Sequence, residues 1–213
     1  MEPFERYRPI IDDFDAFLSA CKRPLGNAVR INTIKASVER TLDALDQEGV
    51  GYEQADWNPR VLDLETDSPG STWTSFHGWT HGQEEVSAVP AVVLDPQPGE
   101  RIWDSCAAPG GKATQLAALM DDSGTVVAND NNLGRISALR HNAERLGVSN
   151  IVVTNRDART FALDGVEQFG FGAGGALGAT GLAWRDAYLV LPLLPALGLG
   201  SLAVWVALAN RRA

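Results

Sequence analysis

Apolar residues near the start of the chain fall at Ile10, Ile11, Phe14 and Phe17, a roughly helical spacing that predicts a helix over Tyr7–Ala20. After Pro24-Leu25-Gly26-Asn27, the segment from Ala28 to Ile34 alternates apolar and polar positions as a half-buried strand does. Ser37 then stands as an N-cap before a helix through Leu42, Leu45 and Val50. These elements form a small α+β unit ending near Ser75. A further helix is predicted from Gln83 to Leu94, closed by Asp95-Pro96-Gln97-Pro98-Gly99. Beyond it, apolar runs alternate with helical patterns. Strands are predicted over Arg101–Asp104, Thr125–Asp130 and Ile151–Thr154, and helices over Ala113–Met120 and Leu133–Leu146. This β-α-β-α-β order implies an α/β fold with a parallel sheet and right-handed crossovers.

Charge modifies this picture. The formal net charge is −9, from 18 basic and 27 acidic residues, which argues at first against a partner as negative as nucleic acid. The acidity is uneven, however: residues 1–40 are close to neutral, 171–213 hold only Arg185, Asp186, Arg211 and Arg212 as charges, and the carboxylates crowd into 41–170. With lysine confined to Lys22, Lys35 and Lys112, such a surface suits a protein made for high salt, where exposed charges are strongly screened. Charges throughout Met1–Ala20 exclude a secretory pattern, and two cysteines cannot make a disulfide framework. A reducing, cytoplasmic setting is therefore expected.

Candidate chemistry lies where the first parallel strand turns into its helix, the usual nucleotide position in an open α/β sheet. Gly110 and Gly111 let backbone approach a ligand closely, and the following helix offers unpaired N–H groups to an anion. Asp130, ending the second strand, suits a pair of ribose hydroxyls. Asp157, beyond the third, can accept from an adenine amine or support the loop that holds the ring. Two rivals fail on spelling: Cys106 and Ala113 stand where a phosphate-binding loop needs Gly and Ser or Thr, and G-x-G-x-x-G is absent. An adenosine-containing ligand fits best.

The string Asp104-Ser105-Cys106-Ala107-Ala108-Pro109-Gly110-Gly111-Lys112 is very similar to the cofactor motif of the NOL1/NOP2/Sun family of S-adenosylmethionine-dependent RNA cytosine-5 methyltransferases. Ala28 to Lys35 resembles the family's "R-V-N-T-L-K" segment, Gln83-Glu84 through Ser87 its "Q-E-x-S" helix, and Arg135 an arginine that often follows the second-strand acid. The resemblance runs from about Arg6 to Asp164. It implies an incomplete Rossmann-like class I methyltransferase sheet over 76–169, preceded by an α+β RNA-recognition unit over 1–75 and followed by an apolar tail over 170–213. It further implies S-adenosylmethionine as cofactor, held at its methionine and ribose end by Cys106, Ala107, Ala108, Pro109, Gly110, Gly111 and Lys112. Asp130 would take the ribose hydroxyls and Asp157 the adenine, with Arg135 in a lesser role. RNA, transfer or ribosomal, is the implied partner, contacted through Arg30, Asn32 and Lys35.

The resemblance breaks at the chemistry. The family's nucleophilic cysteine and its product-releasing cysteine lie downstream, in "D-A-P-C-S" and "T-C-S/T", whereas this chain has only Cys21 and Cys106, neither at such a position. No catalytic residue is assigned, and catalysis by this chain alone is not expected. After Gln168-Phe169 the family pattern gives way to a Gly- and Ala-rich run, and Ala187–Asn210 contains no charge, long enough to span a bilayer. Three origins compete for this tail: a shifted reading frame or gene fusion, a membrane anchor over 187–210 on a non-catalytic cofactor-binding module, or an unusual buried core element.

Lesser signals read blandly. His77 and His81 have a zinc-compatible spacing, but Gly78 between them and the lack of nearby ligands favour a loop, and no metal is expected. Trp57, Trp73, Trp79 and Trp103 read as core residues before base-stacking ones, and Arg140 and Arg145 as a solvated helix face.

Overall fold

A computed structural model describes residues 4–22 and 24–160, together with the backbone of 170–171. Helix α1 spans Phe14–Cys21, shorter than its apolar spacing predicts, because the Asp13 carboxylate accepts from Ala16 N and fixes the start there. Residues 5–7 form one separate 3-10 turn.

The first of two four-stranded sheets contains β1 (Ala28–Ile31), β2 (Tyr52–Ala55), β3 (Asn58–Leu64) and β4 (Thr80–Gly82), antiparallel in the order β2-β3-β1-β4. Helix α2 (Val38–Glu48) starts at Ser37, whose hydroxyl accepts from Arg40 N, and ends at Gly49 in the left-handed region. It packs Leu45 onto Val29, Ile31, Leu62 and Leu64 of the sheet. Because β4 follows the short helix α3 (Trp73–Phe76), this unit's last strand lies beyond the expected limit near Ser75.

After α4 (Glu85–Leu94) comes the predicted alternation: β5 (Arg101–Asp104), α5 (Gly111–Leu119), β6 (Thr125–Asn129), α6 (Leu133–Leu146) and β7 (Ile151–Thr154). The backbone of β8 (Gly170–Phe171) completes a parallel sheet of order β7-β6-β5-β8. Ile102, Val126, Ala128, Leu116, Met120 and Leu139 fill its core. Since the chain moves outward from β5 to β7 and then to β5's other side, β5 adjoins the switch point where α/β sheets open a ligand crevice.

Polar bonds, most of them buried, join the two units. Arg30 Nε donates to Gln83 Oε1 at 2.8 Å and its Nη2 to Thr114 Oγ1 at 3.2 Å, while Gln83 Nε2 donates to Gln115 Oε1 at 2.7 Å. Asn32 Nδ2 donates to Gly78 O and Leu146 O, and Lys35 Nζ to His77 O and Arg145 O. The expectation that Arg30 and Asn32 present an RNA-contacting surface is therefore corrected. Arg30 and Asn32 are 3% and 1% exposed and turned inward, where their donors satisfy groups that burial would otherwise orphan. Lys35 is exposed along its length, but its ammonium caps the carbonyl end of α6. Arg145 likewise leaves the expected solvated face, donating to Ser75 O, Thr80 O and His81 Nδ1.

Among the described residues no helix is long and apolar enough to cross a membrane. The apolar run over 187–210 lies outside them.

Candidate functional site

At the carboxyl end of β5 the chain enters the turn 105–110, and its glycine is sterically required. Gly110 sits at φ 108°, and a Cβ there would meet Leu139 Cδ1 at 2.8 Å. Ala107 N donates to Asn129 O and Gly110 N to Ala107 O, which curls the turn so that α5 starts at Gly111 with its N–H groups facing outward.

Beside this turn lies a cavity of about 240 Å³, lined on one wall by Asp104, Cys106, Ala107, Ala108, Pro109, Gly111 and Lys112. The opposite wall comes from β4 and the start of α4: His81, Gly82, Gln83, Glu84 and Ser87. Most of the predicted cofactor string thus meets at one place. The resemblance to "Q-E-x-S" marked Gln83, Glu84 and Ser87 without giving them a site, and the spacing of His81 from His77 pointed only to a zinc pair.

The cavity's electrostatics are two-signed. Asp104 is wholly buried; Oδ1 accepts weakly from Cys106 N at 3.3 Å, and Oδ2 has no hydrogen-bond partner among the described residues. Burial pushes its carboxyl up to about 7, against the Cys106 amide and Lys112, which pull it down. Lys112 Nζ donates to Ser87 Oγ at 3.0 Å, and its pKa is lowered by burial, with Asp104 opposing. An acid and a base held in one small cleft suit a zwitterionic ligand.

Asp130 does not line the cavity, but Arg135 connects it to the turn. The Asp130 carboxylate is 2% exposed, accepts from Asn132 N at 2.9 Å through Oδ1, and pairs through Oδ2 with Arg135 Nη1 at 3.2 Å. That ionic contact lacks hydrogen-bond geometry, so Oδ2 keeps its accepting capacity. The other Arg135 nitrogen, Nη2, donates to Ala108 O. Asp157 stands apart and half-buried; Arg159 donates to both its oxygens and holds its carboxyl down at about 2.

Asn129, which no motif singled out, holds the strand ends together. Wholly buried, it donates to Ser105 O and Arg156 O and accepts from Thr154 Oγ1 and Arg156 N. The ends of β5, β6 and β7 are thereby fixed to one another, and with them the spacing of Asp104, Asp130 and Asp157. Cys106 lines the cavity and Cys21 is exposed on α1. His77 stacks on Trp73 at 3.9 Å, while His81 is buried, so the two histidines do not share a site, and no metal-binding group of three or more appears among the described residues. Trp103 is core, as expected, whereas Trp57 and Trp73 are 41% and 45% exposed.

A sequence model for the family described as 16S rRNA methyltransferase RsmB/F matches residues 91–170, and a model for a family of unknown function (DUF7977) matches 173–208. Ribosomal RNA small subunit methyltransferase F of Shigella dysenteriae is 36% identical over 168 residues, covering 76% of this chain and 35% of that protein. The solved structure of PH0851 is 33% identical with a TM-score of 0.70, covering 78% of this chain and 38% of that one. A methyltransferase homologue from Pyrococcus horikoshii is 34% identical with a TM-score of 0.67, covering 72% and 51%. The chain spans about a third of the length of the curated relatives it matches. Cavity, turn and strand-end acids thus occur in the sequence and fold context that these proteins share, and the chain belongs to the NOL1/NOP2/Sun family.

Proposed function

We propose that the chain binds S-adenosylmethionine between the β5–α5 turn and the β4–α4 wall, as the cofactor-holding part of an RNA cytosine-5 methyltransferase acting in the cytoplasm. The observation that carries this reading is the Arg135 bridge, because it sets a buried acid suited to ribose at a fixed distance from a turn suited to an amino acid. The residues present fit the cofactor: Asp104 Oδ2 is an orphaned buried acceptor for an ammonium, and Asp130 Oδ2 keeps capacity for a hydroxyl. The names of the curated relatives favour ribosomal RNA over transfer RNA.

When bound, S-adenosylmethionine supplies an electrophilic methyl group. Lys112 and the first N–H groups of α5 bind the carboxylate, Asp104 the ammonium, Asp130 the ribose diol and Asp157 the adenine amine. Cys106 is placed as part of the turn, and neither it nor Cys21 is assigned the nucleophile. The chain's own residues accordingly account for binding and orientation of the cofactor.

Isothermal titration of the full chain with S-adenosylmethionine tests this. Saturable binding weakened by Asp130→Ala is expected; unchanged affinity would overturn the site. Transfer of labelled methyl to ribosomal RNA is not expected from this chain alone. Transfer that persists in Cys106→Ser but is lost in Cys21→Ser would assign the nucleophile to α1 and overturn the reading given to Cys21.

A further inference from the structure

His81 is 8% exposed, faces the cavity from β4, and makes one hydrogen bond among the described residues, between its Nδ1 and Arg145 Nη2 at 2.9 Å. A guanidinium has donors and no acceptor, so Nδ1 must be the unprotonated nitrogen. The imidazole is therefore neutral and its single proton sits on Nε2. Burial, then the charges of Arg30 and Arg145, reinforce that state by driving its pKa down to about 3. Nε2 lies 3.8 Å from where a Cβ of Gly111 would stand, next to the first N–H of α5, in a cavity that also holds Lys112. Fixed in tautomer and without a partner among the described residues, on a side chain that lines the cavity, this donor is placed to meet an acceptor that enters there.

We propose that His81 is a carboxylate-binding residue, whose Nε2–H donates to the α-carboxylate at the amino-acid end of the cofactor beside Lys112 and the start of α5. The role rests on the cofactor reading above and extends it to a residue outside the glycine turn. The acids in the cavity, Asp104 and Glu84, divide the labour by attracting the ammonium. Arg145 acts through His81 as a positioning residue: its bonds to Ser75 O and Thr80 O hold the guanidinium in place, and the guanidinium sets the tautomer.

The test is titration of the full chain and its variants with S-adenosylmethionine and with decarboxylated S-adenosylmethionine, which keeps the ammonium and lacks the carboxylate. His81→Phe should weaken S-adenosylmethionine about tenfold or more, as befits loss of a hydrogen bond to a charged group, and leave the decarboxylated ligand unchanged. His81→Gln, which returns an N–H near the Nε2 position, should recover most of the loss. Equal weakening of both ligands by His81→Phe, or no weakening of either, would overturn the proposal by reducing His81 to a structural residue. If the unmodified chain binds neither ligand, the cofactor reading itself fails, and that result is distinct from a failure of His81.

Discussion

Arg30 Nε lies 2.8 Å from Gln83 Oε1, so a charged side chain of the first sheet is held by the residue that opens the cavity wall of the second unit. Substituting Arg30 by Met removes the donor and leaves Gln83 and Thr114 with unmet partners inside the joint. A loss of roughly 1–3 kcal/mol is expected in denaturant unfolding, the scale for leaving buried acceptors without their donor. A loss of a few tenths would show that the joint contributes little to stability.

Asp104 gives the ligand-free protein a pH dependence. Its folded-state pKa is raised from 3.8 to about 7, so its stabilising contribution is full below the unfolded value and is lost as pH rises through the folded one. The thermal midpoint of the unmodified chain should therefore fall between about pH 4 and 7 relative to that of Asp104→Asn, while the variant binds S-adenosylmethionine more weakly. Parallel midpoints for the two proteins across that range would contradict the raised value.

If Asp130 takes the ribose diol, Asp130→Ala should lose the ability to distinguish S-adenosylhomocysteine from its 2′-deoxyribose analogue. About tenfold discrimination is expected in the unmodified chain, from one hydrogen bond to a charged acceptor. Retained discrimination in the variant would place the ribose elsewhere.

Gly110→Ala imposes a side chain at φ 108° and 2.8 Å from Leu139 Cδ1. Backbone strain alone costs on the order of 1–2 kcal/mol. Cofactor affinity should fall together with stability, since the same turn serves both. Gly78→Ala is expected to be destabilising for a different reason, because its Cβ would lie 2.1 Å from the Arg145 backbone oxygen, which has no room to retreat. Circular dichroism melting compares the two.

The parallel half of the fold was legible because each strand from β5 to β7 is an apolar run bounded by turn residues, and each helix between them keeps its period. The first sheet was legible at β1 and α2 only. In β2, Glu53 and Gln54 face solvent side by side, and β3 opens on Asn58-Pro59, so neither shows a clean alternation at its start. β4 is three residues long and owes its existence to pairing with β1. At the site, the turn that lines one wall of the cavity could be read from residue type and position. The direction of Arg30 and Asn32 could not, since a sequence shows a charge or an amide but not which side of a strand will be covered by another unit. Asn129 escaped notice, and His81 read only as half of a zinc-compatible pair, for the same reason: their surroundings come from groups far away in the chain, at Ser105, Arg156 and Arg145.

Helix α6 receives the first unit at one end and the Asp130–Arg135 pair at the other. Asn32 and Lys35 donate to its last carbonyls, while Asn132 caps its start next to Asp130 and Arg135 lies in its first turn. Fourteen residues of helix make a rod of about 21 Å between those ends. The two units are therefore not interchangeable modules: a chimera that takes its first unit from a relative must bring matching partners for residues 145 and 146, or Asp130 and Arg135 will be set by a rod seated on the wrong foundation.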